Sequence, residues 1–352
     1  MKFYGRERKV KARRRRLEPP MLTESLVLGG DLGGTSTRIL VVGTEGRECG
    51  RGSAGGGNPV SHPARAAEAL GDALRAALTG VDPGRVKASV IGIAGGSALR
   101  TPPVAARFGQ VWEEAGLTCD PGYVPDLEVA FAAGTPEPDG SVLVAGTGAT
   151  AGAVTGHRLT RTADGHGWLL GDDGSGFWLG REAIRAALHT LDAGEPSGQL
   201  VAAVLRELGA DGTGDELPSA APGRGTDRRR DRVIQAVNSR PGIELSALAP
   251  LVSAAYRDGD PRARSIVERA AAALLATLGR IRDPAETTPI VLAGGLTSDA
   301  SPVGSTLRSL LPARFAGPLR PAHSGVAGAA WLALAALDPS LATHDAHARL
   351  CA

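Results

Sequence analysis

Aromatic side chains make up only 3% of this 352-residue chain, methionine occurs twice, and the three cysteines stand far apart. Cys49, Cys119 and Cys351 are odd in number and lack CxxC spacing. That speaks against a disulfide framework, and equally against a zinc or iron–sulfur cluster held within one chain. His157, His166 and His189 are too dispersed to build a zinc site with them. No apolar run reaches 18 residues, and the Ala-rich stretch from Gly325 to Leu337 is too short to span a bilayer. The first twenty residues contain no apolar segment of the kind a secretory signal needs. The expectation is a soluble protein of the reducing cytoplasm.

What is present fits a globular α/β protein. Glycine, at 49 residues, and proline, at 24, supply turns and positions where backbones can approach closely. Much of the apolar content is alanine, which suits helices, while valine and isoleucine mark the strands. The formal charge of +2 conceals an asymmetry. Residues 1–20 carry nine Lys and Arg (Lys2, Arg6, Arg8, Lys9, Lys11 and Arg13 to Arg16) against Glu7 and Glu18, a net +7, which leaves the remainder from Met21 near −5. Residues 1–21 therefore read as a basic, disordered extension ahead of an initiator at Met21, attached to an acidic body.

Along that body, Leu26 to Leu28 and Arg38 to Val42 flank Gly30-Asp31-Leu32-Gly33-Gly34-Thr35, the grammar of a strand, a glycine turn and a return strand. The spacing predicts a helix over residues 63–79, a buried strand from Val86 to Ile93, a helix from Ala105 to Ala115 and a short strand at Tyr123-Val124. About 115 residues after the first hairpin the pattern restarts: Ser141 to Val144, the turn Ala145-Gly146-Thr147-Gly148-Ala149-Thr150, and Ala151 to Val154. Two such hairpins point to a duplicated domain with a cleft between its halves. Beyond Gly180 helices dominate, with amphipathic segments from Leu245 to Ala255 and from Pro261 to Ile281. Asp211 to Asp231 reads as a surface loop whose Arg228-Arg229-Arg230 run starts a solvated helix. Ile290 to Ala293 is a buried strand ending in Gly294-Gly295, and a helix from Ser324 to Leu337 is expected to close the fold.

The chemistry lies in the turns. Glycines at Gly33 and Gly34 let backbone amides approach phosphate oxygens, and Thr35 adds a hydroxyl. Asp31, at a strand end, suits a largely hydrated Mg²⁺. Gly146-Thr147-Gly148 repeats the phosphate logic, and Gly294-Gly295 leaves room for a flat base. Asp126 follows the Tyr123 strand directly. Read alone it is equally a helix N-cap before Leu-Glu-Val-Ala-Phe.

The order DLGGT, AGTG, GDDGS and AGG resembles the BadF/BadG/BcrA/BcrD ATPase family, and within it the N-acetylglucosamine kinases, over about Val27 to Leu337. The resemblance implies two ribonuclease-H-like domains of the actin/hexokinase-like class, with ATP and a sugar in the cleft between them. The corresponding divisions are 22–125 and 126–323, the second carrying a helical insert, with 324–340 returning to the first. It implies Asp126 as catalytic base, Asp31 as the magnesium-side carboxylate, and Gly33, Gly34, Thr35, Gly146, Thr147 and Gly148 as phosphate contacts. Gly294 and Gly295 would hold adenosine, and Asn58, Gly165, His166, Gly167 and Asp172 would contact the sugar. The activity implied is MgATP-dependent phosphorylation of the 6-hydroxyl of an amino sugar, N-acetylglucosamine first, by a homodimer with no membrane or nucleic-acid partner. Glucosamine or another hexose derivative, a BadF-type ATPase and a non-enzymatic sugar sensor are the alternatives.

Departures from the family pattern are few. Leu32 replaces a glycine, Pro125 precedes the catalytic aspartate where Asn or Thr is usual, and Asp173 shortens the usual Glu by one methylene. His166 stands where the family commonly has a tryptophan lining the N-acetyl pocket, while Trp168 lies two positions later.

Overall fold

Each half of the chain opens with a strand–turn–strand unit whose residues alternate between two apolar faces. The computed structural model describes residues 25–60, 63–211 and 228–351. In it β1 (Leu26–Leu32) pairs antiparallel with β2 (Thr37–Gly43), and β2 with β3 (Glu48–Ala54). On the other side of β1, β4 (Val86–Ile93) and β5 (Tyr123–Pro125) add in parallel. The second sheet repeats this with β6 (Gly140–Ala145), β7 (Ala149–Thr155) and β8 (Arg158–Asp164), followed by the parallel additions β9 (Ile290–Ala293) and β10 (Leu319–Ala322). The orders β3-β2-β1-β4-β5 and β8-β7-β6-β9-β10 are the same topology twice, as the repeated hairpin grammar predicts.

The helices are α1 (Pro63–Ala77), α2 (Pro102–Glu114), α3 (Asp126–Gly134), α4 (Gly176–Ala193), α5 (Gln199–Glu207), α6 (Arg228–Asn238), α7 (Ala249–Arg257), α8 (Pro261–Gly279), α9 (Pro302–Arg314), α10 (Gly325–Leu337) and α11 (His344–Cys351). Leu26, Leu28, Ile39, Val41 and Ile91 project from one face of the first sheet onto Leu70 and Leu74 of α1 and Phe108 and Trp112 of α2. The alternate residues, Val27, Leu40, Val42 and Val90, meet Val129 and Ala132 of α3 and Val326, Ala330 and Trp331 of α10. On the second sheet Val142, Val154 and Val291 receive Leu127 and Phe131 of α3. Its opposite face, with Leu143, Ala151 and Leu292, carries the larger helical body from α4 to α9. Helix α3 thus touches both sheets, with α10 beside it.

This middle layer is built on backbone contact. A Cβ placed on Gly29 of β1 would stand 2.3 Å from the Ala330 amide nitrogen, and one on Gly328 would stand 2.2 Å from the Val129 carbonyl oxygen. Neither atom fits, so α10 rests directly on β1 and α3. The Ala-rich C-terminal run is therefore a core helix, and among the described residues no helix is long and apolar enough to cross a membrane.

Two expected elements are corrected. The segment from Leu245 to Ala255 is not one helix: a 3-10 turn spans Gly242–Leu248 and α7 begins only at Ala249. Pro250 has no amide hydrogen to extend a helix from the preceding turn, but it is accommodated in a first turn, where that donor is unneeded. Nor does α10 close the fold. Helix α11 returns to it, burying Ala346 in the same cluster and setting His347 Nε2 2.7 Å from the Ala132 carbonyl oxygen. The arginine run does begin a helix, with Arg230 Nε 3.0 Å from Asp192. The basic extension and most of the Asp211 to Asp231 loop lie outside the described residues. All three cysteines are free.

The contact at Gly328 reverses an ordinary expectation. Replacing a helical glycine by alanine normally stabilises by roughly 1 kcal/mol. Gly109 in α2, with open space where its Cβ would go, should behave in that way. Gly328→Ala should instead lose about 3 kcal/mol by forcing α10 off α3. Urea unfolding of the two variants beside the parent checks the opposite signs.

Candidate active site

The two hairpin turns, the end of β9 and the starts of α3, α4 and α10 supply the polar groups of the site. In the first turn the Gly33 amide donates to the Ser36 carbonyl at 2.9 Å. The Gly57 amide donates to the Gly33 carbonyl at 2.9 Å, and the Ala94 amide to the Leu32 carbonyl at 3.0 Å. Segment 55–57 and the end of β4 thus brace the turn, leaving Gly34 and Thr35 exposed at its tip.

Asp31 is opposite Arg38 on β2 and Gly92 on β4. Its side chain projects toward the start of α10, where a Cβ on Gly325 would be 2.7 Å from Oδ2. Asp126 is the first residue of α3, entered directly from β5. Pro125 holds the N-cap position, and the Asp126 carboxylate accepts from the adjacent Leu127 amide at 3.1 Å rather than from an amide two or three residues on, so it is not a conventional cap. The two carboxylates are close enough to sense each other. Burial, then the charge of Asp126, push the Asp31 carboxyl up to about 6, against a smaller opposing pull from Arg38. Burial also raises the Asp126 carboxyl, with the Leu127 amide pulling it back.

The second turn is tied to α4. The Gly146 amide donates to the Gly148 carbonyl at 2.9 Å. The Gly176 and Phe177 amides donate to the carbonyls of Gly146 and Thr147 at 2.8 and 3.2 Å. Ser175 caps the helix, accepting from the Trp178 amide at 3.2 Å. A glycine hairpin beside the N-terminus of an 18-residue helix is a setting favourable to phosphate. Gly294, at the end of β9, has φ of 89°, and a Cβ on it would be 2.3 Å from the Ala145 carbonyl oxygen; Gly295 beside it faces open space.

Of the residues expected to meet a sugar, Asn58 uses Oδ1 to accept from the Val60 amide at 2.9 Å. Among the described residues its side-chain NH₂ has no partner. Gly34, Gly55, Gly56 and Asn58 open onto a cavity of about 310 Å³ walled by Arg65, Glu68 and Asp72 of α1. Gly165, His166 and Gly167 form an exposed loop on the second sheet, with φ of 71° at Gly165 and 81° at Gly167. Trp168 packs on Phe177, ring centroids 5.3 Å apart, and on Gly242, yet remains 39% exposed. Asp172 is buried beneath the second turn, its Oδ1 accepting from the Ala149 amide at 3.1 Å. The structure thus brings Asp31 to Asp126, and Asp172 to Gly146–Gly148. Sequence reading missed Asp164, Ser175 and Gly325. The Asp164-Gly165 and Ser324-Gly325 pairs, ordinary turn signals, are the only trace of two of them.

Two carboxylates raised by burial, one of them also by the charge of the other, fit a divalent cation. Among the described residues no group of three or more His, Cys, Asp or Glu surrounds such an ion. Mg²⁺ keeps much of its water and takes phosphate oxygens as ligands, so it asks for few protein donors.

A model of the BadF/BadG/BcrA/BcrD ATPase family matches residues 28–333. An N-acetylmuramic acid/N-acetylglucosamine kinase of Clostridium acetobutylicum is 35% identical over 69 residues, so the match spans 20% of this chain and 22% of that protein. Among solved structures, a candidate N-acetylglucosamine kinase of Chromobacterium violaceum superposes with a TM-score of 0.68 at 24% identity, over 89% of this chain and 99% of that one. A ROK family glucokinase from Streptomyces griseus, solved with glucose and AMPPNP, gives 0.53 at 23% identity over 88% and 99%. At these identities the likeness to the solved structures is one of fold.

The Asp31 carboxyl, raised from 3.8 to about 6, binds its proton more tightly in the folded than in the unfolded chain. Its contribution to stability is therefore fully present below about pH 4 and is lost as pH rises through about 6. Asp31→Asn should stabilise the magnesium-free protein by on the order of 2 kcal/mol at pH 8, a gain that shrinks toward pH 4.5. Unfolding midpoints of variant and parent at the two pH values check it.

Proposed function

The chain belongs to the BadF/BadG/BcrA/BcrD ATPase family, and we propose that it is an ATP-dependent sugar kinase acting on the 6-hydroxyl of an amino sugar, N-acetylglucosamine first. The observation that carries this reading is the pairing of Asp31 with Asp126 at the starts of α10 and α3. One carboxylate can organise the metal; the second, at the head of a helix, suits proton transfer from the attacking hydroxyl, and the likeness of fold to sugar kinases favours a sugar as its source over water.

In this reading Asp126 accepts the proton of the sugar hydroxyl as its oxygen bonds to the γ-phosphorus and the bond to the β–γ bridging oxygen breaks, leaving ADP. Burial raises the basicity of Asp126, which favours that role. The backbone amides of Gly34 and Gly148, with the hydroxyls of Thr35 and Thr147, hold the phosphates, while Gly33 and Gly146, whose amides close the two turns, let the phosphates approach the backbone. The start of α4 adds its partial positive charge there. Gly294 and Gly295 leave space for adenosine. Asp31 holds Mg²⁺ through water, and the ion when bound neutralises phosphate charge. Asn58, with its free NH₂, and the loop of Gly165, His166 and Gly167 grip the sugar from the two halves. Asp172 takes part from beneath the turn.

His166 favours a second choice of substrate. An imidazole in place of a stacking indole is a weaker platform for an acetamido group, which leaves glucosamine or another hexose derivative as the alternative. The Clostridium acetobutylicum relative bears the names of two N-acetylated sugars, which supports the first choice.

ADP release with MgATP against N-acetylglucosamine, N-acetylmannosamine, glucosamine, glucose and a sugar-free blank tests the reading. Stimulation by N-acetylglucosamine is expected; turnover indifferent to every sugar would make the protein an ATPase instead. Asp126→Asn should lower kcat by about 10³-fold, within the usual range for a general base, while nucleotide affinity stays within a few-fold.

A further inference from the structure

Asp164 closes β8 and was assigned no role, yet it is among the most constrained polar residues in the protein. Its side chain is buried and its φ is 63°, a left-handed conformation that a residue with a Cβ adopts at a cost of about 1 kcal/mol or more. Both carboxylate oxygens are used. One accepts from the Asp172 amide at 2.7 Å, the other from the Asp173 amide at 3.0 Å. A Cβ on Gly171 would be 2.2 Å from Asp164 Oδ1, so the chain is drawn tightly around this carboxylate.

The contacts continue to the second turn. Asp172, itself left-handed with φ of 58°, accepts from the Ala149 amide, and a Cβ on Gly148 would stand 3.0 Å from its carboxylate oxygens. From the other side, the Gly165 amide donates to the Ala149 carbonyl at 3.1 Å, and Asp164 is the register partner of Thr150. Ala149 is thus held through both its amide and its carbonyl by the segment that starts and ends the His166 loop. That loop is otherwise exposed from Gly165 to Leu170, with Leu169 and Leu170 at 73% and 80%. Apart from Trp168, which packs on Phe177 and Gly242, the loop is held at its two ends, and Asp164 joins those ends.

We propose that Asp164 is a positioning residue whose carboxylate locks the His166 loop to the Gly146–Gly148 turn, so that the groups facing the sugar and those facing the phosphates behave as one rigid piece. The proposal rests on the kinase reading for what the two parts bind, but not for their mechanical coupling. It explains why a strained backbone is kept where glycine would relax it: glycine could adopt φ of 63° freely but could not accept the Asp172 and Asp173 amides.

Asp164→Gly separates the two effects, since it relieves the backbone while deleting the clamp; Asp164→Asn retains one acceptor and is the conservative variant. In the kinetic assay Asp164→Gly should raise KM for both ATP and the sugar by about tenfold, with kcat changed less than threefold, and Asp164→Asn should recover part of the loss. Hydrogen exchange on the ligand-free proteins gives a readout independent of turnover. In Asp164→Gly the amides of residues 147–149 should gain exchange rate together with those of 165–173. Faster exchange confined to 165–173, or KM values within twofold of the parent, would overturn the coupling. If neither parent nor variant turns over with any sugar, the kinase reading fails, and the exchange result still decides the clamp.

Discussion

The direct contact of the α10 backbone with β1 and α3 is the constraint on which the rest depends. At Gly29 and Gly328 the chains meet with no side chain between them. Two helices set this close have their axes fixed by backbone sterics rather than by adaptable side chains. Their N-termini are fixed with them, and those ends deliver Asp126 and Gly325 to the tip of β1, where Asp31 stands. Glycine at 29 and 328 is what permits this approach, because a side chain at either position would separate the elements whose proximity makes the site.

That geometry also explains how two carboxylates tolerate each other. Burial, and after it the charge of Asp126, raise the Asp31 carboxyl, but the starts of α3 and α10 both bring partial positive charge to the same place, and Arg38 adds a full one. The duplication has been put to unequal use. The first half keeps the acids, while at the equivalent place the second half has Ala145-Gly146-Thr147-Gly148 and the capped start of α4. One hairpin lies beside negative groups that suit a metal or a proton, the other beside the positive end of the α4 dipole, which suits an anion.

Legibility in the sequence followed the local or non-local origin of each feature. The hairpins and buried strands depend on alternation and glycine turns over a few residues, and they appear where the pattern places them. Strands β3, β8 and β10 did not stand out, because Glu48–Ala54 and Arg158–Asp164 are half polar edge pieces and Leu319–Ala322 has four residues. The helix expected from Leu245 failed on a single proline, whose effect depends on where the turn begins. Asp31, the two glycine turns and Asp126 were legible as a set because their order in the chain is distinctive. Asp164 was not, since an Asp-Gly pair at a strand end is an ordinary turn signal, and only the folded chain reveals that its carboxylate faces inward onto two amides eight and nine residues later.

The separation of these two kinds of feature bears on specificity. The acids stand on α3 and β1, held by the α3–α10 contact, whereas His166 and Trp168 stand on a loop anchored through Asp164, Asp172, the second turn and the packing of Trp168 on Phe177. A substitution at 166 changes the exposed surface of that loop without touching any atom that fixes Asp31 or Asp126. Its ring is exposed, and no core packing resists its replacement. On the proposed kinase reading, exchange of indole for imidazole at that position would bear on the choice of sugar and would leave Asp31 and Asp126 where they are.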